Sequence, residues 1–200
     1  IENVKNLLSI NGGFDFLKLQ IELDEIGYDV EWDVLDSAEV VPQHRERIFI
    51  IGHLRGRRTR KVFPIVRKNG ETNKPVKVVN QIGNISNSKS FSGNPQVGRV
   101  YGTDGISPTL STMQGGGQEP KIMLGDKGGF IKHGTNVSQN QSKRRIRKIT
   151  PLEVWRLQGF PDWAFCRARK AGLSDSQLYK QAGNSVTVPV GRIIAERLAL

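Results

Sequence analysis

Between Tyr28 and Leu35 the chain alternates. Tyr28, Val30, Trp32 and Val34 share one face of an extended segment, and Asp29, Glu31 and Asp33 share the other. A period of two predicts a β-strand with one apolar and one acidic face. Ile48-Phe49-Ile50-Ile51, closed by Gly52, is a short apolar run that predicts a buried strand. Upstream, Phe14, Leu17, Ile21 and Leu23 recur at helical spacing. Residues 14–26 are therefore predicted as a helix with those four on its apolar face and Gly27 as its stop.

At Arg55 the texture changes. To about Lys148 the chain is rich in Gly, Asn, Ser and Lys, with short β-like pieces at Val76–Val79, Arg99–Tyr101 and Lys121–Met123. This predicts a separate, irregular, mostly β module with long loops. Gly115-Gly116-Gly117 lacks the following Lys-Ser/Thr of a phosphate-binding P-loop and reads as a plain loop. Helical punctuation returns at Thr150-Pro151-Leu152-Glu153, a capping box with Pro at the first helical position; Gly159 ends that helix before Pro161. Trp163-Ala164-Phe165-Cys166 reads as a connector. Ser174-Asp175-Ser176-Gln177 opens a short helix that ends at Gly183. Val190, Ile193, Ile194 and Leu198 give a last helix, about Val188–Leu198, its buried face.

Composition narrows the class. A chain of 200 residues can bury a real core in one domain or two. It contains no apolar run of about 18 residues, so no membrane span is predicted, and no charged-then-apolar leader is visible. Its one cysteine, Cys166, fits a reducing compartment and leaves no internal disulfide framework. His44, His53 and His133 lack metal-ligand spacing. The chain opens without Met and inside an apparent motif, which suggests a fragment or processed chain.

Charge changes the picture most. Residues 1–54 carry 4 Lys and Arg against 11 Asp and Glu, residues 55–148 carry 19 against 4, and residues 149–200 carry 7 against 4. The net charge of +11 is thus concentrated in the middle module, as expected for a polyphosphate partner. Two basic runs, Arg55–Lys61 and Lys143–Lys148, flank it. Between the two predicted strands lies Gln43-His44-Arg45-Glu46-Arg47, whose guanidiniums at the mouth of a sheet suit an anion or the edge of a planar base.

Further segments give that loop a context. The chain begins Ile1-Glu2-Asn3-Val4. It continues, after the basic module, with Arg147-Lys148-Ile149-Thr150-Pro151-Leu152-Glu153 and Arg156-Leu157-Gln158-Gly159-Phe160-Pro161. It closes with Gln181-Ala182-Gly183-Asn184-Ser185-Val186. In this order, with Gln43–Arg47 second, they resemble the C-terminal portion of the DNA cytosine-5 methyltransferases. Gly105-Ile106-Ser107-Pro108-Thr109-Leu110 looks like the Thr-Leu element of that family's target recognition domain.

The resemblance implies an α/β fold: the C-terminal part of a Rossmann-like, S-adenosylmethionine-dependent methyltransferase sheet with an inserted, irregular, mostly β target recognition domain. It divides the chain into a catalytic-domain segment at 1–56, the recognition domain at 57–146 and returning C-terminal helices at 147–200. Ile1–Val4 would end one strand, Tyr28–Leu35 supply the next and Arg47–Leu54 the antiparallel last one. Lacking its first strands, such a sheet exposes an edge, and self-association or marginal stability is expected.

In that family a cysteine thiolate adds to cytosine C6 and activates C5 for methylation. The resemblance makes Glu2 the acid at ring N3, a role that needs a sheltered carboxyl. Asn3 would orient the loop, and Arg47 with Arg45 would hold the base O2 and nearby phosphate. Asn184, Ser185 and Val186 would border the S-adenosylmethionine pocket, where a helix N-terminus offers free N–H groups. Double-stranded DNA would be gripped by Gln43, Arg99, Thr109, Leu110, Arg144 and Arg145, and the target base flipped out of the stack. The Gly-rich cofactor loop and Pro-Cys nucleophile loop are absent from these 200 residues. The chain alone is therefore expected to be inactive, with the missing N-terminal half, or a separate subunit, as its partner. The implied setting is cytoplasmic and nucleoid-associated, with no metal and no membrane, as for a restriction-modification or orphan enzyme of a bacterium or phage. A non-catalytic DNA-binding module and a tRNA-acting relative are the other readings the motifs allow.

Overall fold

The computed structural model describes residues 1–65, 78–86, 94–113, 117–125 and 145–199. The chain divides into two compact units: residues 1–40, 45–75 and 186–200 form the first, and 41–44 with 76–185 the second. These boundaries differ from the expected ones. Residues 147–185 group with 76–146 in the second unit, and only the last stretch, 186–200, groups with the first.

The first unit is built on a three-stranded sheet in the order β1 (Glu2–Val4), β3 (Glu46–Leu54), β2 (Tyr28–Asp36). The central β3 runs antiparallel to both neighbours, as expected, with Arg47 opposite Val4 on one side and Leu35 on the other. Its apolar run serves two faces because successive side chains point oppositely. Ile48 and Ile50 pack with Phe16, Leu19, Leu23, Val30 and Val34. Phe49 and Ile51 pack with Leu35, Val62, Val190 and Ile194. Helix α1 (Phe14–Glu25) contributes to the first cluster, starting after left-handed Gly13 and stopping before left-handed Gly27.

The expected face of α1 is not the buried one. Phe14 is 68% exposed and Leu17 and Ile21 are each 50% exposed, whereas Phe16 is 7% exposed and meets Trp32 edge-on at 5.2 Å between ring centroids. The helix carries two apolar stripes, and the periodicity marked both without ranking them. Of the four expected core positions only Leu23 packs into the cluster.

The second unit carries a four-stranded sheet, β4 (Gln81–Asn84), β5 (Arg99–Tyr101), β6 (Lys121–Leu124) and β7 (Arg145–Lys148), in that order, with β5 and β6 parallel. The β-like piece at Val76–Val79 is not borne out over its described half: Val78 and Val79 form no strand, and the Val78 carbonyl accepts the Ile106 N–H at 3.1 Å. The basic run Arg145–Lys148 is itself a strand, whose ladder to β6 leaves its long side chains facing out.

Helices α2 (Pro151–Leu157), α3 (Asp162–Lys170) and α4 (Asp175–Asn184) complete this unit. The predicted capping box forms at Thr150/Glu153, and the helix start predicted at Ser174 also proves to be one, with Gln177. Residues 162–170 are helical where a connector was expected, because Phe165 stacks edge-on at 5.7 Å on Trp155 and holds the segment against the core. Leu110, Met113, Ile149, Val154, Trp155, Leu178, Tyr179 and Ala182 form that core. Trp155 Nε1 donates to the Leu178 carbonyl at 2.9 Å and the Tyr179 hydroxyl to the Ile149 carbonyl at 2.6 Å. Helix α5 (Val188–Leu198) matches its predicted span and belongs to the first unit.

Candidate active site

Alternation along β1 and β3 puts Glu2, Arg47 and Phe49 on one face of the first unit's sheet. Arg47 Nε lies 3.1 Å from Glu2 Oε1. That oxygen is buried and lacks a well-aligned hydrogen bond, so the contact is an ion pair without good donor geometry. Arg47 Nη1 donates to the Glu46 carbonyl at 2.7 Å, and the Glu46 carboxylate pairs with Lys5 at 2.9 Å. Asn3 Oδ1 accepts the Val4 N–H at 2.8 Å, which fixes the end of β1.

Arg45 is the most constrained of the four, only 3% exposed. Its N–H donates to Asp36 Oδ1 at 2.9 Å and its carbonyl accepts the Ser37 N–H at 3.1 Å. Burial pushes its guanidinium down to about 10; the Arg47 charge pushes the same way, and the Glu2 carboxylate opposes both. It remains charged at neutral pH. Arg47 pairs with the Glu2 carboxylate and the buried Arg45 guanidinium feels both charges, so guanidinium donors and a carboxylate meet on one sheet face, a combination suited to the carbonyl oxygen and ring nitrogen of a planar base.

Sequence reasoning missed Asp36. Its Oδ1 accepts both the Ala38 N–H, at 3.0 Å, and the Arg45 N–H, and so ties the turn after β2 to the strand carrying the arginines. An Asp at the end of an alternating strand, followed by Ser, is a turn signal that could have marked it. Ser37 was missed too: its hydroxyl lies 2.7 Å from the Thr187 hydroxyl, both buried, joining that turn to the start of α5.

The remaining expected residues are dispersed. Asn184 closes α4 with its side chain exposed, and Ser185 caps that helix, its hydroxyl donating to the Ala182 carbonyl at 2.8 Å. Val186 opens the last segment of the first unit and is 37% exposed. In the second unit Gln43 is fully buried beside Ser107, with no hydrogen-bond partner for its amide among the described residues. Thr109 Oγ1 donates to the His44 carbonyl at 2.8 Å, and Leu110 is a core residue. Gln43 and Leu110 thus face protein, not solvent. Arg99 is held by the Asn94 carbonyl at 3.1 Å, and its guanidinium lowers the Tyr101 hydroxyl against the rise that burial causes. Arg145 is exposed on β7, and Arg144 lies outside the described residues. Cys166 is exposed on α3, and no cluster of three potential metal ligands occurs among the described residues.

Comparison with known proteins gives this arrangement a setting. The family model described as C-5 cytosine-specific DNA methylase matches residues 1–199. The chain is 28% identical over 287 residues to the orphan methyltransferase M.SPBetaI of Bacillus phage SPbeta, covering 99% of this chain and 65% of that protein. It is 30% identical over 221 residues to the type II methyltransferase M.SsoII of Shigella sonnei, covering 99% and 52%. Among solved structures, the S. pombe Dnmt2 methyltransferase superposes with a TM-score of 0.59 at 18% identity, covering 99% of this chain and 63% of that one. The Entamoeba histolytica methyltransferase EhMeth gives 0.60 at 18%, covering 99% and 61%. These two establish the fold. The chain spans between one half and two thirds of the length of these relatives.

Proposed function

The chain belongs to the C-5 cytosine-specific DNA methylase family, and on that premise we propose that it supplies the base-holding half of a DNA cytosine-5 methyltransferase centre. The supporting observation is the Glu2–Arg47 pair with buried, positively charged Arg45 alongside it. In this reading Glu2 delivers a proton to N3 of a flipped cytosine while a thiolate adds at C6. The electrons of the C5=C6 bond then make C5 a nucleophile. Arg47 and Arg45 hold the base O2 and balance the charge that develops on the ring. Asn3 fixes the strand end that presents Glu2.

S-adenosylmethionine, when bound, supplies the methyl group as an electrophilic sulfonium substituent. The residues at hand fit part of its binding. The Asn184 carboxamide is exposed and makes no hydrogen bond among the described residues. The N-terminus of α5 has no side-chain cap, leaving N–H groups for a carboxylate. Ser185 and Val186 join the two features along the chain.

The thiol is assigned outside these residues. Cys166 follows Phe165, not proline, on a helix of the second unit. The chain alone is therefore inactive and acts together with an N-terminal portion or subunit. The second unit, rich in Lys and Arg, binds the duplex, with Arg99, Thr109, Arg144 and Arg145 as its contacts and Gln43 and Leu110 as scaffold. No helix among the described residues can cross a membrane, and a cytoplasmic, nucleoid-associated location belongs to the same reading.

Radiolabelled methyl transfer from S-adenosylmethionine to cytosine-containing duplex tests it. Transfer is expected when the upstream Pro-Cys portion is present and absent with this chain alone; turnover by the chain alone would overturn the division of labour. Bisulfite sequencing of the product identifies the methylated position. The second reading, a DNA-binding module without catalysis, draws on the same charge distribution and is favoured if no Pro-Cys loop is encoded upstream or in an adjacent gene.

A further inference from the structure

The end of β3 remote from Arg47 carries a second cationic feature that the methylation chemistry does not use. His53 lies six residues beyond Arg47 on the same strand, which corresponds to about 20 Å of extended chain. There Gly52, His53, Arg58, Thr59, Arg60 and Leu198 line an open cavity of about 590 Å³.

The chain just beyond the two arginines, residues 62–64, is held firmly. Glu31 Oε1 accepts the Val62 N–H at 2.6 Å and Oε2 the Phe63 N–H at 3.1 Å. Arg197 donates to the Val62 carbonyl at 2.5 Å and the Pro64 carbonyl at 2.7 Å. Val62 is fully buried against Phe49, Val190 and Ile194. Among the described residues the cavity lining contains no carboxylate. Glu31, the acid nearest in the fold, is occupied by those two N–H groups and by His53 Nε2 at 2.7 Å. Asp24 and Asp29 are both engaged by Arg55. Arg58 and Arg60 have no ion-pair partner among the described residues. Two unneutralised guanidiniums and a hydroxyl, next to a backbone fixed at residues 62–64, offer more donors than their described surroundings consume. Guanidinium forks match the oxygens of a phosphate.

We propose that this cavity is a phosphate-binding site separate from the methylation centre, taking a phosphate group either free or on a nucleic-acid backbone. The proposal does not depend on methyl transfer, and its test reads binding alone. The chain is compared with Arg58→Gln/Arg60→Gln and with a control, Arg57→Gln/Lys61→Gln, which removes the same charge outside the cavity lining. All four side chains are exposed, so both variants keep the fold.

In the first arm, the thermal midpoint is followed against inorganic phosphate at constant ionic strength set with potassium chloride. A saturable rise is expected for the parent chain and control, with binding at least tenfold weaker in the cavity variant. In the second arm, anisotropy of a labelled duplex is followed against salt. If the site takes a backbone phosphate, the slope of log affinity against log salt falls by about 2 in the cavity variant and not in the control. A difference between cavity variant and control in either arm supports the site and identifies the phosphate source. Identical behaviour of the two variants in both arms overturns it.

Discussion

Two arginine–carboxylate pairs in this chain look alike in sequence and differ in how completely they satisfy each other. Glu153 takes two bonds from Arg147, at 2.8 and 2.6 Å, and two more from the N–H and hydroxyl of Thr150, at 2.7 and 2.9 Å. Every strong acceptor position is filled, and the Arg147 guanidinium holds the carboxyl at about 2. Glu2 meets Arg47 through one contact at 3.1 Å, on an oxygen without an aligned donor, beside a second, buried guanidinium. A satisfied pair fastens structure: Arg147 and Glu153 tie β7 to the start of α2. A pair without aligned hydrogen bonds has more to gain from a ligand.

The largest expected effect separates the two pairs by activity. In the catalytically competent protein, Glu2→Gln lowers turnover by about 10²–10⁴-fold and leaves the unfolding midpoint nearly unchanged. A midpoint that falls in step with turnover would make Glu2–Arg47 a fastening pair like the other and erase the distinction.

Glu153→Gln shows the reverse pattern. The amide oxygen that remains can still accept one bond, so loss of the charge and of one Arg147 bond costs about 1–2 kcal/mol of stability by urea unfolding. Binding of S-adenosylmethionine by the folded fraction is unaffected.

The pH response sharpens the contrast. The Glu153 carboxyl sits at about 2 in the fold against an ordinary 4.5, so the unfolded chain takes up the proton first as pH falls. The stabilisation is whole above about pH 4.5, shrinks below it and is gone below about pH 2. It amounts to about 1–2 kcal/mol after solvent screening of a pair one-third exposed. Urea midpoints at pH 5 and pH 3 measure it, and the loss attributable to this group should vanish in Glu153→Gln.

The smallest effect concerns Arg45. Arg45→Lys keeps the positive charge and loses the guanidinium fork, so turnover should fall by about tenfold while the unfolding midpoint moves little. A large destabilisation would show that Arg45 fastens the fold rather than holding a ligand.

Legibility in the sequence followed the strength of the local signal. The alternation of β2, the apolar run of β3, the capping box at Thr150, the helix start at Ser174 and the span of α5 were all readable, because each is fixed by neighbours within a few residues. The helix over Asp162–Lys170 was not: its composition is mixed, and Phe165 on Trp155 stabilises it from a distance. The buried face of α1 was misread because two apolar stripes compete, and the sheet's shape chooses Phe16 over Phe14. Asp36 was overlooked because its function is to bond Arg45, nine residues on, which only closure of the turn brings within reach.

By itself the sequence determined the family, the strands β2 and β3 and the span of α5, the separation of acidic and basic segments, and the candidacy of Glu2, Arg45 and Arg47. These depend on residue type and spacing along one dimension. Tertiary structure alone decided which apolar face is covered, that Gln43, Arg45 and Leu110 lie inside, and that Arg147 completes Glu153 while Glu2 meets Arg47 without an aligned hydrogen bond. Those outcomes depend on burial and on distances of a few ångströms between residues far apart in the chain, where desolvation and donor geometry set the sign of the interaction.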